Sequence, residues 1–572
     1  MRPTLHCIEA LVGVLGVFFL CGTELRSQSP AALSGVVSSQ EADQMEGVLV
    51  SAKREGSNVT LSVVSDNQGR YSFPGSRLQP GDYQLNTRAP GYDLDNPGVV
   101  KVEANKTTQL NLRLQKTKDL AAQMTPADWF LSNPEIKKWL VDDQSLWFPQ
   151  DCAGCHSLAP IMTSKYQARM WPAILRRMAS YDSASINDPG EVKVPVVSET
   201  ARRSSLGNLD EFSRFLASIN LSSRPDGTWP FELKTMPRPS GRGTKVVLTE
   251  YQLPRRESQP HDVVVDRHGM VWYNDHGNQY IGKLNPQTGE VKEWLVPGVA
   301  SPEEAIGDAS GRPHFERRQD NIQGDLWFGN VKVNVDTDEL TVGHGPIQAD
   351  GMVWRTRSGE MRLQQRGAAP ADADMMGEGI SEVLKIDPKT GETVKRYSGP
   401  TRPMSFYGGV KADSQGNLYG SSLHYGVVGI MNGQSGEWAF VPAPSTTKNG
   451  KSAGPRRNHM DAQDRFWYAQ YYSGGIGVFD PKSWTIKEWP LHPYALPYGI
   501  GVDKNGEAWA AGKGTDYLYR LNPATGEVTT YWRGSFLYGQ SRQLFVDNTT
   551  TPVTVWVGHN HKAAIVRVQP LD

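Results

Sequence analysis

Three kinds of hydrophobic patterning follow one another along the chain. From about Leu33 to Lys116, apolar and polar residues alternate in the short runs GVLVSAK, VTLSVVSD, YQLNTRAP and TTQLNLRLQ. A period of two belongs to half-buried strands. Asp66-Asn67-Gln68-Gly69 and Gln79-Pro80-Gly81-Asp82 punctuate these runs as turns. From about Thr117 to Pro237 the period lengthens, and PEIKKWLVDD, KYQARMWPAILRRMASYD and LDEFSRFLASINL read as helices. Pro172 fits the first turn of the second helix, which places Trp171, Leu175 and Met178 on one face. From about Lys245 to the end the pattern returns to strands, and there it repeats.

The repeat reads P-h-x-h-x-x-D-x-x-G-x-h-W, a short gap, then h-x-x-h-[DN]-P-x-T-G-E. Its clearest copies begin at Pro260, with Asp266, Gly269, Trp272 and NPQTGEVKEW, and at Pro497, with Asp503, Gly506, Trp509 and NPATGEVTTY. Closing turns fall at Gly289, Gly391, Gly436, Trp484 and Gly526. The later spacings are about 42 to 48 residues and the first is about 102, so one degenerate repeat is expected around Gly324 to Asn330. A final copy ends the chain, which makes seven. Repeats of this length with four strands each predict a β-propeller. Lys245 to Pro254 precede the first copy and are placed to supply the outer strand of the last blade, removing an edge.

Residues Leu11 to Gly22 form an apolar run after Arg2, too short to span a bilayer comfortably and fitting a secretory leader. Residues 1–30 are therefore expected to be a signal peptide, with the mature start around Gln28 to Ala32. The sequence FFLC around Cys21 is a poor lipobox. No later stretch is apolar enough to span a membrane. The expected location is the periplasm or cell envelope of a bacterial-type cell. The 572 residues have 38% hydrophobic content and a formal net charge of −1, giving no sign of nucleic-acid binding. The 57 glycines, 38 prolines and 16 tryptophans suit many short strands joined by turns.

The sharpest chemical signal is Cys152-Ala153-Gly154-Cys155-His156. C-x-x-C-H attaches a c-type haem: two thiols form thioethers, and the adjacent His ligates the iron. A redox dithiol or half of a zinc site would share the two cysteines, but zinc wants further ligands, and the remaining cysteines, Cys7 and Cys21, are in the leader. The sixth position is open among Met178, Met170, Met162, a distal His and an unligated site. Helices around this motif resemble a group of small bacterial cytochrome domains with the pattern C-x-x-C-H…W-x-x-x-x-x-R-M-x-x-Y, here Trp171, Arg177, Met178 and Tyr181. That resemblance implies Met178 as the axial ligand.

Two further resemblances bear on the flanking parts. GVLVSAKREGS, SDNQGRYSFPGSRLQPGDYQLNTRAPGY and LNLRLQ are similar to the carboxypeptidase regulatory-like sandwich, which implies a spacer or adhesion role without chemistry. LTEYQLP, QPHDVVVDRHGMVWYND and IGKLNPQTGEVKEWLVP resemble the virginiamycin B lyase (streptogramin lyase) propeller. That family implies a His base and Glu residues holding magnesium. The matching positions here read Asn274-Asp275, Gly329-Asn330, Ala469-Gln470 and Ala510-Ala511, so the acidic pair does not map and the activity is not carried over.

In a four-stranded blade, the start of the first strand and the end of the second lie on the same ring face. That face, the channel mouth, should gather His261, Asp262, Asn274, Asp275 and His276 from the first blade. Later blades add His424, Arg457, His459, Tyr471, Tyr498, Arg542, His559 and His561. Of these, His261, His459, His559 and His561 are the candidate catalytic residues. His261, Asp262, Asp275, His276 and His559 could bind a divalent metal, and a polar rim docking the haem segment would need the same residues.

The fold expected is thus a multidomain, mainly β chain: a β-sandwich at 33–116, a small helical cytochrome c domain at 117–237 and a seven-bladed propeller at 245–572. The function expected is electron transfer by an exported oxidoreductase. Its propeller would bind a small-molecule substrate or cofactor, and its one covalent haem c would relay electrons to or from a periplasmic partner. A carbon–oxygen lyase acting on a cyclic peptide lactone and a haem-bearing binding protein without catalysis are the alternatives.

Overall fold

The computed structural model describes residues 31–139, 157–178, 209–275, 278–298, 325–328, 331–345, 347–360, 378–400, 410–423 and 425–572. The chain is mainly β. Its N-terminal strands build two sheets packed face to face around Leu33, Val37, Val50, Tyr71, Phe73, Leu112 and Leu114. The Asp66 turn forms as its residues dictate. One carboxylate oxygen accepts the N–H groups of Gln68 and Arg70, at 2.9 Å each, and Gly69 takes the left-handed conformation that lets the chain reverse.

Among the described residues the C-terminal part holds seven antiparallel sheets in sequence order, as a propeller requires. Where the repeat pattern is clearest, its Asp organises the blade. In the first, Asp266 accepts the backbone N–H groups of His268 and Met270 at 2.8 and 2.9 Å, and the Trp272 indole N–H at 2.7 Å. Asp461 and Trp467, and Asp503 and Trp509, repeat the clasp at 2.8 and 3.0 Å. The D-x-x-G-x-h-W spacing is therefore a requirement of one hydrogen-bonded turn. The degenerate second repeat closes at Asp338, where Asn334-Val335-Asp336-Thr337-Asp338-Glu339 keeps the N-x-x-T-G-E spacing with Asp338 in the glycine's left-handed place.

The strand Val246–Gln252 pairs along its whole length with Ala564–Pro570, closing the ring as the sequence predicts. Its other edge is also paired, with Val59–Val64 of the N-terminal part. The last blade and one face of the sandwich are thus a single eight-stranded sheet. The other blades end in half-exposed strands such as Val291–Leu295 and Thr485–Pro490, whereas Val246–Tyr251 is buried throughout.

Between these parts lie helices at Pro126–Ser132, Pro134–Lys137, Ala159–Met162, Trp171–Met178 and Leu209–Ile219. Thr125 and Asp128 form a capping box on the first, and Asp128 also accepts the Met236 N–H at 2.6 Å. The second helix read from sequence begins at Trp171 with Pro172 in its first turn. Trp171 and Leu175 are buried, and Met178 is half-buried at the helix end. Among the described residues no helix is long and apolar enough to cross a membrane.

Candidate functional site at the channel mouth

The helical segment packs on the mouth face of the propeller. Trp129, Phe130, Met162, Trp171, Leu175 and Phe212 share one apolar core with Leu423, Tyr471, Tyr472, Leu496 and Tyr498 of the blades. Lys137 Nζ donates to the Tyr472 carbonyl at 2.9 Å, and the Ala127 N–H donates to the Gly514 carbonyl at 2.8 Å. Cys152, Cys155 and His156 lie outside the described residues, between Trp139 and Ser157, which both belong to this helical unit. The donor set itself, two thiols and an imidazole, suits haem c. Of the axial candidates, Met162 is fully buried in the shared core, Met170 is exposed and Met178 is half-buried.

Strand register defines the mouth. Val263 pairs with Tyr273, Asn458 with Tyr468, Ile500 with Ala510, and Leu544 with Val557. Two residues before each pair, equivalent positions hold His261, Arg456, Tyr498 and Arg542. The next position holds Asp262, Arg457, Gly499 and Gln543. A bulge lies between each first-strand proline and its paired residue in three of these blades, which swings these side chains inward.

At this level the blades meet across the channel. Arg457 Nη2 lies 3.3 Å from His261 Nε2 and 3.5 Å from the Tyr498 hydroxyl. Since arginine can only donate, His261 Nε2 accepts, and the ring proton is left on Nδ1, 3.4 Å from Asp262 Oδ1. The Arg456 guanidinium stands 4.1 Å over the Tyr498 ring and 4.8 Å over Tyr471. Lys513 Nζ lies 5.9 Å from both rings. Burial would push the Tyr498 phenol up, but Arg456, Arg457, Arg542 and Lys513 together pull it down to about 6.

The other candidates separate from this cluster. Asp275 is held by Arg255 at 2.7 Å, by the Gln259 N–H at 3.0 Å and by Asn278. His559 packs on Phe536, with ring centroids 5.9 Å apart, and against Gly539; burial and the Arg533 charge hold its imidazole well below the usual range. His561 is buried nearby. His459 is not at the mouth: it pairs with Trp467 near the far end of its strand, because Arg456 and Arg457 occupy the mouth positions. His276 and His424 lie outside the described residues. Among the described residues no three His, Cys, Asp or Glu gather as a metal site. The sequence reading undervalued Arg456 and Lys513. The signal available was the doublet Arg456-Arg457 directly after a blade-opening proline.

The fold and site define a propeller whose mouth is roofed by a helical unit and braced by an N-terminal sandwich. Residues 32–115 match the carboxypeptidase regulatory-like domain. No curated protein matches the chain. Among solved structures, a streptogramin B lyase is similar at 18% identity with a TM-score of 0.43, covering 58% of this chain and 99% of that one. Virginiamycin B lyase from Staphylococcus aureus is similar at 15% identity with a TM-score of 0.31, covering 56% and 98%. The extracellular domain of a one-component system from B. thetaiotaomicron is similar at 12% identity with a TM-score of 0.37, covering 54% and 40%.

Proposed function

We propose that this is an exported electron-transfer protein, an oxidoreductase whose propeller mouth binds a small-molecule substrate and whose haem c relays electrons to or from a periplasmic partner. The observation that carries the reading is the shared core between the helical unit and the mouth tyrosines. The described helices that flank the Cys152-Ala153-Gly154-Cys155-His156 stretch in sequence pack on the face where polar side chains of several blades converge, which supports a role for that stretch beside the mouth. The haem would supply one-electron chemistry. The chain's own residues bind and orient: Arg457 fixes the His261 tautomer, Arg456 and Lys513 hold charge beside Tyr498, and the helical unit limits water access.

The lyase alternative is not favoured, because the acidic pair it would need does not map onto this sequence and Asp275 is engaged by Arg255. The test is expression in a host that matures c-type cytochromes. Denatured protein should retain haem on a gel, its pyridine haemochrome should show a c-type band, and Cys155→Ala should impair attachment. Colourless protein from such a host would overturn the proposal.

A further inference from the structure

Blade seven brings to the mouth a set of buried polar groups that the chain itself leaves unsatisfied. Arg542 is 7% exposed, and its Nε has no hydrogen-bond partner. Ser541, beside it, is fully buried with an unpartnered Oγ. Asn560, just beyond the second strand, is fully buried with both side-chain polar atoms unpartnered. Buried polar atoms are nearly always satisfied, so a group of them at one level marks a place for a polar occupant. By register, Arg542 stands in blade seven where Tyr498 stands in blade six, and its charge acts on the Tyr498 phenol together with those of Arg456, Arg457 and Lys513.

The sign of the occupant follows from the charges. Four cations converge on Tyr498, and among the described residues Asp262 is the carboxylate that faces them by register, so that even with the phenol ionised these groups together carry net positive charge. Removing cations from water is costly unless negative charge is brought to them. Arginine forks match carboxylates bidentately, and serine and asparagine would complete the hydrogen bonding of a polar remainder. The adjoining wall of Tyr471 and Leu496 offers apolar contact to a short carbon skeleton.

We infer that the channel mouth binds a small organic carboxylate, held by Arg542, Arg456 and Arg457 with Ser541 and Asn560 as hydrogen-bonding partners. This deepens the proposed substrate site but does not depend on the haem. The full-length protein is titrated calorimetrically with succinate and acetate, against sodium chloride and glycerol at matched ionic strength. Saturable binding of a carboxylate is expected. It should weaken about tenfold or more in Arg542→Gln, the loss of one charge-assisted contact, and be largely retained in Arg542→Lys. If Arg542→Gln does not fold, Ser541→Ala and Lys513→Gln carry the same comparison. Absence of saturable carboxylate binding, an equal response to chloride, or affinity unchanged by all these substitutions would overturn the inference. Haem content measured on the same samples separates the two claims: haem-free protein that still binds a carboxylate sinks the electron-transfer reading and leaves this one standing.

Discussion

Tyr498 shows how charge can override burial. A buried phenol ordinarily stays neutral, and Tyr519 and Tyr517, fully buried in the same blade, are both driven up. Tyr498 differs only in its neighbours: Arg456, Arg457, Arg542 and Lys513 outweigh the desolvation and bring it to about 6. Because the folded value lies below the unfolded value of 10, the ionised phenol adds stability that is complete above about pH 10. That stability is lost as pH falls towards about 6. An ultraviolet titration should show one tyrosinate forming below pH 8, absent in Tyr498→Phe, and the variant's unfolding free energy should vary less between pH 6 and 10. A full complement of tyrosines titrating near 10 would refute this. Tyr498 was legible as a mouth residue from its place after Pro497; its ionisation was not, since the cations come from one strand, Pro455–Met460, and from two loops, after Gly512 and before Leu544, in three different blades.

At the scale of the element, the repeat's Asp and the ring-closing strand make separate arguments. Asp503 accepts the N–H groups of Asn505 and Glu507 and the Trp509 indole, at 2.9 to 3.0 Å. Asp503→Ala strands the two buried donors among these, the Glu507 N–H and the Trp509 indole, and should cost roughly 2 kcal/mol or more in chemical denaturation, at about 1–3 kcal/mol for each unsatisfied group. The blade pattern was readable because this turn fixes the spacing of its residues. The second blade's closing turn was hidden because Asp338 stands where Gly289, Gly391, Gly436 and Gly526 close other blades. Glu250 lies in the strand Val246–Gln252, and burial raises its carboxyl to about 7 despite the Ser535 N–H and hydroxyl that donate to it. A raised folded value stabilises below the unfolded value of 4.5, and that contribution is lost as pH rises through about 7. Glu250→Gln keeps an acceptor for Ser535. It should flatten the melting temperature between pH 4.5 and 7 and raise it by several degrees at pH 8. A lower melting temperature at pH 8 would mean the charged form is well accommodated.

At the scale of the whole molecule, the three stretches that look like separate domains in sequence are joined by buried chemistry. The sequence distinguishes them by period, two against 3.6, but period reports only which face of an element is apolar. It says nothing of which edge finds which partner, and the pairing of Val59–Val64 with Val246–Gln252 follows from edges. One trace was visible in advance: Val246-Val247-Leu248 is a continuous apolar run, as in strands buried on both faces, where outer strands such as Val291–Leu295 and Thr485–Pro490 mix apolar with charged residues. The sandwich is also tied to blade six. Arg88 meets Asp516 at 2.6 Å with both side chains buried, Asp516 lies 3.4 Å from the equally buried Arg533, and the Trp532 indole donates to the Gly47 carbonyl at 2.9 Å. Asp516→Ala would leave two arginines buried without their carboxylate, which costs about 3–5 kcal/mol when a buried pair is broken. Because the contact spans sandwich and propeller, the loss should move one calorimetric transition of the full chain downward as a unit. A separate early transition for the sandwich, with the propeller's melting unchanged, would mean that the shared sheet joins two bodies that still unfold independently.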